Sequence, residues 1–140
     1  MEILKVKTRN RRVGDFGEKA AEKLLKRKKV KIIHRNYVAV DHEIDIIAEN
    51  KDTTVFVEVK TREASENEKF PTRPAAAVTR DKREAIVKAA SYYIGFNPND
   101  KKKRFDVIEV YITEENGKLK VLDINHMEGA FNKNDAYKTF

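Results

Sequence analysis

The chain has 140 residues, of which 40% are hydrophobic, and this composition excludes a generally disordered protein. Cysteine is absent, which excludes disulfides and thiolate chemistry, and no apolar stretch approaches the roughly 18 residues of a membrane span. The first residues lack a secretion signal, so we expect a cytoplasmic domain that does not associate with membranes. The net charge of +7 favours a polyanionic partner, nucleic acid above all, although a charged fraction of 38% also suits an ion-paired or solubilising surface.

The N-terminal part of the sequence predicts a basic arm followed by a helix. Residues 1–13 are basic and aperiodic, which is typical of an arm. Asp15 and Glu18 then have the spacing of a capping box, and the apolar residues that follow lie on one helical face. We therefore predict the first helix at about residues 15–28.

Five strands and a second helix are predicted after the first helix. A long loop over residues 61–77 separates the third strand from the second helix, which runs from about 79 to 95 with Thr79 as its cap. The order α-βββ-α-ββ predicts an α/β fold with helices packed on a central mixed sheet. We take residues 14–126 as the folded domain and 127–140 as a C-terminal tail. The predicted strands are 30–40, 43–49, 54–60, 104–113 and 118–124.

The second and third predicted strands carry carboxylates where a central strand is normally apolar. Side chains alternate along a strand, so Glu58 and Lys60 share one face of theirs. Closing the hairpin at its turn pairs Ile46 with Val57 and places Asp45 opposite Glu58. Like charges that face each other destabilise a sheet unless something offsets them.

A divalent cation between Asp45 and Glu58 would offset this repulsion, because Mg²⁺ is typically held by one or two carboxylates together with water and substrate phosphate. Mn²⁺ is the other expected cofactor. With Lys60 beside the ion, this group could hydrolyse a phosphodiester, since the metal acidifies a water and the ammonium stabilises negative charge. The alternative is that all three residues are ordinary charges on solvated strand faces.

These residues resemble a known nuclease signature. Asp45 followed by Glu58-Val-Lys60 is similar to the D…ExK pattern of the PD-(D/E)xK, or restriction-endonuclease-like, superfamily. The flanking segments are similar to motifs of the YraN-like family of small bacterial proteins, described as endonuclease-related, and the resemblance runs from about Gly14 to Phe131. It implies a three-layer restriction-endonuclease-like fold, with Asp45 and Glu58 as metal ligands and Lys60 as the catalytic lysine. The similar segments are Gly17-Glu18, Arg35-Asn-Tyr37, Glu43-Ile-Asp-Ile-Ile-Ala48, Val55-Phe-Val-Glu-Val-Lys-Thr-Arg62, Ala77-Val78, Lys82 and Arg104-Phe-Asp106.

Three further residues lie near the signature, and one of them, Glu18, has two interpretations. Glu18 matches a helix glutamate that approaches the metal in related resolvase-like members, and it is equally well explained as the capping-box partner of Asp15. Glu43 precedes the ligand aspartate in the family's GEID-like motif. His42 stands where the usual residue of that motif is glycine, which leaves the backbone conformation open at this point. We do not assign His42 to the metal.

Basic residues around the long loop and the start of the second helix form a candidate phosphate clamp. Amides at the helix N-terminus would help to hold a phosphate backbone. The alternative is a solvated surface that Asp81 and Glu84 partly neutralise. Asp106 is expected to have a structural role, paired with Arg104 or another base. The residues assigned to the clamp are Arg62, Arg73, Arg80, Lys82 and Arg83.

We therefore expect a Mg²⁺- or Mn²⁺-dependent nuclease-like protein that hydrolyses phosphodiesters in nucleic acid, with DNA favoured over RNA. No base-reading motif is visible, so selectivity would come from nucleic-acid shape, such as branched or broken duplex. Cutting both strands would favour a two-fold homodimer. The alternative is a non-catalytic module that binds nucleic acid or protein. Paired carboxylates argue against that module, because they repel phosphate unless a metal is present. A basic protein associated with RNA or the ribosome is the third option.

Overall fold

The structure is a computed structural model that describes residues 8–64 and 78–133. Within these ranges, five strands form one sheet in the order β1-β2-β3-β4-β5, in which β3 and β4 are parallel and the other neighbours are antiparallel. The predicted α/β class with a central mixed sheet is confirmed. In chain order the elements are α1 (Arg9–Arg27), β1 (Lys31–Ala39), β2 (His42–Glu49), β3 (Thr53–Glu63), α2 (Arg80–Phe96), β4 (Lys102–Glu115) and β5 (Lys118–Phe131).

The two helices cover opposite faces of the sheet and give it three layers. On one face, α1 packs against a cluster that includes Ile46, Val57 and Ile108. On the other face, α2 packs against a cluster that includes Phe56 and Phe105. Burying both faces explains why the central strands are apolar over most of their length.

Helix α1 begins six residues earlier than the capping-box pattern predicts. The side chain of Thr8 accepts a hydrogen bond from the backbone N–H of Arg11 at 3.2 Å, and this contact caps the helix. The predicted start at Asp15 was wrong, and residues 9–13, which we assigned to the arm, are helical. Arginine is a good helix former, so a run of basic residues does not interrupt a helix that is already capped.

Helix α2 matches its prediction within one residue at each end. The side chain of Thr79 accepts a hydrogen bond from the backbone N–H of Lys82 at 3.2 Å, as expected of an N-cap. Residues 65–77, which include most of the predicted loop and Arg73, lie outside the described residues. In the described ranges, neither helix combines the length and the apolar character needed to cross a membrane.

Strand β5 extends seven residues beyond its predicted end and takes in part of the expected tail. A buried hydrogen-bond network holds this extension to β4. The carboxylate of Asp106, which is 0% exposed, accepts two hydrogen bonds from Arg104, one from the imidazole of His126 and one from the backbone N–H of Gly129, all at 2.8–2.9 Å. The expected pairing of Asp106 with Arg104 is confirmed, and Asp106 joins β4 to the end of β5.

Candidate metal and phosphate site

The ladder between β2 and β3 stops next to the predicted site. The predicted pairing of Ile46 with Val57 is confirmed, and it is the last pair of this ladder toward the start of β2. Beyond that pair, the Oδ2 atom of Asp45 accepts a hydrogen bond from the backbone N–H of Val59 at 2.8 Å. Asp45 therefore occupies the gap where the two strands separate. Its side chain replaces a strand partner for the backbone N–H of Val59.

The side chains of β2 do not alternate regularly around this gap. Ile44 packs in the cluster under α2, whereas Ile46 packs in the cluster under α1. Regular alternation would place both on one face, but it requires a continuous ladder and this ladder ends at Ile46. Glu43 pairs with Val38 of β1 in the sheet and is not part of the β2–β3 ladder.

Three carboxylates converge on the side of the gap that faces α1. One carboxylate oxygen from each of Glu18, Glu43 and Asp45 lies within 4.8 Å of the other two. Helix α1 contributes Glu18 because it approaches β3 very closely at Gly17, where a Cβ atom would lie 1.8 Å from the Oγ1 atom of Thr61. Since Thr8 and not Asp15 caps α1, the capping-box interpretation of Glu18 was wrong.

Asn36 on β1 holds two of these acids in place. Its φ of 52° is in the left-handed region, which asparagine adopts more readily than most residues. With its amide oriented so that the nitrogen faces the acids, it donates to the Oε1 atoms of Glu43 at 2.9 Å and Glu18 at 3.1 Å. Neither Asn36 nor Glu43 was predicted as a site residue, although Glu43 stands two positions before Asp45, the spacing of residues that share a strand face.

Glu58 is the buried carboxylate on the other side of the gap. Its side chain is 4% exposed, and its Oε1 atom lies 3.5 Å from the Nζ atoms of both Lys60 and Lys82. Its Oε2 atom is buried and has no hydrogen-bond partner among the described residues. Buried polar atoms are normally paired, so an unpaired carboxylate oxygen at this position needs an explanation.

The charges in the gap repel one another strongly. Burial, followed by the charge of Glu58, raises the pKa of Asp45 to about 8, although the hydrogen bond from Val59 acts in the opposite direction. Burial and the charges of neighbouring acids, Glu43 first, raise the pKa of Glu18 to about 7. The positive charges and hydrogen-bond donors around the cluster therefore do not fully compensate its negative charge.

His42 lies at the edge of the same group. Burial and the charge of Lys82 lower its pKa, while the acids Glu58 and Glu43 act in the opposite direction. Its Nε2 atom is buried without a hydrogen-bond partner in the described part of the chain. The Nε2 atom of His42, like the Oε2 atom of Glu58, is thus a buried polar atom without a partner among the described residues.

The predicted basic clamp is only partly assembled at this site. Lys82 contacts Glu58, as described above, and Arg62 lies farther along β3 with its Nε atom 3.7 Å from the buried Oε1 of Glu109. Arg80 instead pairs with Glu84 on the surface of α2 at 3.2 Å. The side chain of Arg83 donates to the backbone carbonyl of Val78 at 2.9 Å. Arg73 lies outside the described residues.

The sequence of the site lies within a segment shared with other proteins. Residues 17–110 match the model of the uncharacterised protein family UPF0102. The chain belongs to this family. The resemblance to the YraN-like family is thereby confirmed, and the matched UPF0102 segment contains every carboxylate of the gap together with both lysines that contact Glu58.

Close UPF0102 relatives are similar along almost their whole length. The UPF0102 protein CD630_12710 of Clostridioides difficile is 46% identical over 123 residues, which cover 87% of this chain and 98% of the relative. The UPF0102 protein TTE1452 of Caldanaerobacter subterraneus is 42% identical over 126 residues, covering 89% of this chain and 98% of the relative. A UPF0102 protein of Caldicellulosiruptor saccharolyticus is 40% identical over 125 residues, covering 86% and 98%.

Proposed function

We propose that this UPF0102 protein is a metal-dependent nuclease that hydrolyses phosphodiester bonds in DNA, with Mg²⁺ or Mn²⁺ held by Asp45 and Glu58. The observation that carries the proposal is the buried Oε2 atom of Glu58, which has no partner among the described residues, while the charge of Glu58 acts on Asp45 and helps to raise its pKa. Asp45 in turn forms a group of carboxylates with Glu18 and Glu43. A protein gains nothing in stability from such a group, so a ligand that needs it is the simplest reason for its presence.

The residues present fit a hard divalent cation. Mg²⁺ and Mn²⁺ prefer carboxylate oxygens, and Mg²⁺ commonly binds one or two carboxylates while retaining water and substrate phosphate. Asp45 and Glu58 would be the principal ligands, and Glu18 and Glu43 extend the negative charge toward α1. A cation would also counter the burial and the repulsion that together raise the pKa values of Asp45 and Glu18.

The lysines suit the approach of a phosphate group. Glu58 draws the ammonium groups of Lys60 and Lys82 to within 3.5 Å, so two positive charges adjoin the carboxylate gap. Lys82 also lies in the first turn of α2, where the helix dipole and free backbone amides favour an anion. These lysines would counter the repulsion between the carboxylates and the incoming phosphate.

The chemistry divides between the bound ion and the side chains of this chain. The ion, when bound, supplies an acidified water and neutralises charge on the phosphate oxygens. Lys60 places its ammonium where negative charge develops on the phosphoryl group, and Lys82 orients the phosphate by contact with a neighbouring oxygen. Both lysines act on the phosphate backbone and not on base edges, so the proposed selectivity is for DNA shape.

The test is a cleavage assay with plasmid, single-stranded, flapped and four-way-junction DNA in Mg²⁺, Mn²⁺ or EDTA. We expect cleavage that EDTA abolishes and that Glu58→Gln or Lys60→Ala reduces by about 100-fold or more, as for loss of other groups that stabilise transition-state charge. Glu115→Gln and Lys118→Ala change the same residue types at exposed positions of the β4–β5 hairpin and should leave cleavage unchanged.

Two results would contradict the proposal. Cleavage that persists at the wild-type rate in both site variants would show that Glu58 and Lys60 are not the site. If no substrate is cleaved under any condition but metal-independent DNA binding is intact, the chain is a non-catalytic binding module on this fold.

A further inference from the structure

Helix α1 presents a strongly basic surface on the side that faces away from the sheet. The helix contains seven basic and three acidic residues. Six of the basic residues are exposed, and we call the five other than Arg9, which pairs with acids, the α1 basic face. It consists of Arg11, Lys19, Lys23, Lys26 and Arg27.

The α1 basic face lacks the ion pairs that neutralise about half of the other bases in the described residues. Among the described residues, none of its five side chains lies within 4.0 Å of a carboxylate oxygen, whereas Arg9 and Arg12 of the same helix pair with acids on β3 and β4. Two acids of α1 are engaged elsewhere, since Glu22 binds Arg35 at 2.7 Å and Glu18 belongs to the carboxylate cluster. The positive charge of this face is therefore available to a ligand.

Helix stability explains only part of this pattern. Lys26 and Arg27 lie in the last turn, where cations interact favourably with the helix dipole. Lys19 and Lys23 lie one to two turns earlier and gain little from the dipole, which acts over the final turn. The helix dipole therefore does not account for Lys19 and Lys23, whose charges have no acidic partner in the described ranges.

The α1 basic face adjoins the candidate site at Lys19. Lys19 lines a cavity of about 160 Å³ together with Glu18 and Asp45. At 1.5 Å per residue, the face extends about 12 Å from Lys19 to Arg27. That length corresponds to roughly three to four phosphates at about 3.4 Å along one DNA strand. A phosphate backbone could therefore run from the edge of the site along the helix.

The arrangement of the two helices then limits the substrate. The carboxylate gap has the α1 basic face on one side of the sheet and Lys82 of α2 on the other. A straight duplex that lies against the α2 side cannot also lie along α1, because the sheet separates them. A substrate that contacts both surfaces must branch or bend sharply at the site.

We propose that the α1 basic face is a second phosphate-binding surface and that the substrate is branched DNA with two duplex arms, one on each side of the sheet. The position of the cleaved strand rests on the proposed function, whereas the α1 basic face is tested by DNA binding alone. Junctions should bind more tightly than a linear duplex of the same length, and α1 should account for the difference.

The test compares two triple variants with the same change in charge. Lys19→Gln/Lys23→Gln/Lys26→Gln removes three charges from the α1 basic face, whereas Lys51→Gln/Lys102→Gln/Lys118→Gln removes three exposed lysines on strand ends and a turn. Affinities for a four-way junction and a linear duplex are measured by fluorescence anisotropy over a salt series, in Ca²⁺ and in EDTA. Thermal unfolding checks that each variant is folded. If the α1 triple variant does not fold, the single variant Lys23→Gln is measured in its place.

We expect the α1 triple variant to bind the junction at least tenfold more weakly at low salt. Its slope of log K against log salt should fall by about 2.7, at roughly 0.9 for each phosphate that a lysine no longer neutralises. Linear duplex binding should change little, and the control variant should behave as the wild type. For Lys23→Gln alone, the slope should fall by about 0.9.

Failure of this inference can be told apart from failure of the proposed function. Equal junction affinities for the two triple variants would overturn the α1 surface, even if the protein cleaves junctions. Loss of junction binding in the α1 variant, with no cleavage by the wild type, would support the surface and overturn the nuclease. A wild-type protein that binds neither DNA would overturn both.

Discussion

Asp45 and Glu58 place two carboxylates in a region of the sheet that is otherwise apolar. Burial of charge without full compensation costs several kcal/mol as an order of magnitude. The hydrogen bond from Val59 and the two lysines beside Glu58 offset part of this cost, but burial and the charge of Glu58 still raise the pKa of Asp45. The metal-free protein therefore sacrifices stability at this site, as proteins commonly do where they bind ligands or catalyse reactions.

Replacing Asp45 by asparagine should stabilise the metal-free protein at pH 8. The amide oxygen can still accept from Val59, while the negative charge opposite Glu58 is lost, so we expect a gain of about 1–2 kcal/mol in EDTA. At pH 5 the gain should be smaller, because the cost of Asp45 grows with pH from its unfolded pKa of 3.8 up to its folded pKa of about 8. Thermal or urea unfolding at the two pH values measures the difference.

The control for this prediction is Asp100→Asn, an exposed aspartate that should show no such effect. Mg²⁺ should raise the melting temperature of the wild type and have a much smaller effect on Asp45→Asn, because the proposed ligand has lost its charge. An Asp45→Asn protein that is less stable than the wild type at both pH values would contradict the prediction.

Single residues of the site differ in how far the sequence predicts them. Asp45, Glu58 and Lys60 stand out because charges interrupt apolar strands. Glu43 and Asn36 do not, because their position depends on the end of the β2–β3 ladder and on a left-handed backbone conformation at Asn36. Neither property can be derived from alternation along a strand.

At the scale of elements, the contact between α1 and β3 decides where Glu18 lies. Gly17 faces Thr61 so closely that any side chain at position 17 would overlap it. Threonine is β-branched and has little freedom to move away. The missing side chain at Gly17 thus lets α1 approach β3 and brings the next residue, Glu18, to the carboxylate cluster.

Gly17→Ala should therefore destabilise the protein by about 1–3 kcal/mol, the usual cost of overpacking. Gly14→Ala is the matched control, since a Cβ atom there meets nothing within 4 Å and alanine is favoured over glycine in a helix by about 1 kcal/mol. Urea unfolding should show opposite signs for the two variants. Equal effects would show that the Gly17–Thr61 contact does not limit the position of α1.

The ends of elements depend on tertiary contacts that the sequence does not display locally. β5 continues to Phe131 because Asp106 on β4 binds His126 and Gly129, twenty or more residues away along the chain. The predicted end near residue 124 followed local composition, which shows no strand pattern over Asn125–Gly129. In contrast, α2 was predicted within one residue because its cap, Thr79, acts locally.

For the whole molecule, buried acids with opposite pKa shifts should shape the dependence of stability on pH. Asp45 and Glu18 have raised pKa values, of about 8 and 7, so they destabilise the folded state increasingly as pH rises from their unfolded values of 3.8 and 4.5. Burial acts to raise the pKa of Asp106, but its hydrogen bonds from His126, Arg104 and Gly129 outweigh this effect and lower it. Asp106 therefore stabilises the fold above pH 3.8, and this stabilisation is lost as pH falls through its lower folded pKa.

We expect the free energy of unfolding in EDTA to be highest at about pH 4–5, to fall toward pH 9 because of the carboxylate gap, and to fall below pH 4 because of Asp106. Urea unfolding across this range tests the profile. Asp45→Asn should flatten the alkaline side alone, and Asp106→Asn should flatten the acidic side while lowering the maximum. Stability that is highest near pH 8 in EDTA would contradict this assignment.

The early end of the β2–β3 ladder also bears on how the protein folds. All four acids of the site lie before β4 in the chain, namely Glu18, Glu43, Asp45 and Glu58. The parallel pairing of β3 with β4 is a non-local contact, because it joins residues 49 positions apart. Hairpins form quickly, whereas parallel strands pair slowly because a long segment must first be closed. We therefore expect the acids to come together while β4 is still unpaired and water screens their charges. Their repulsion would then become costly when β4 joins the sheet and excludes that water.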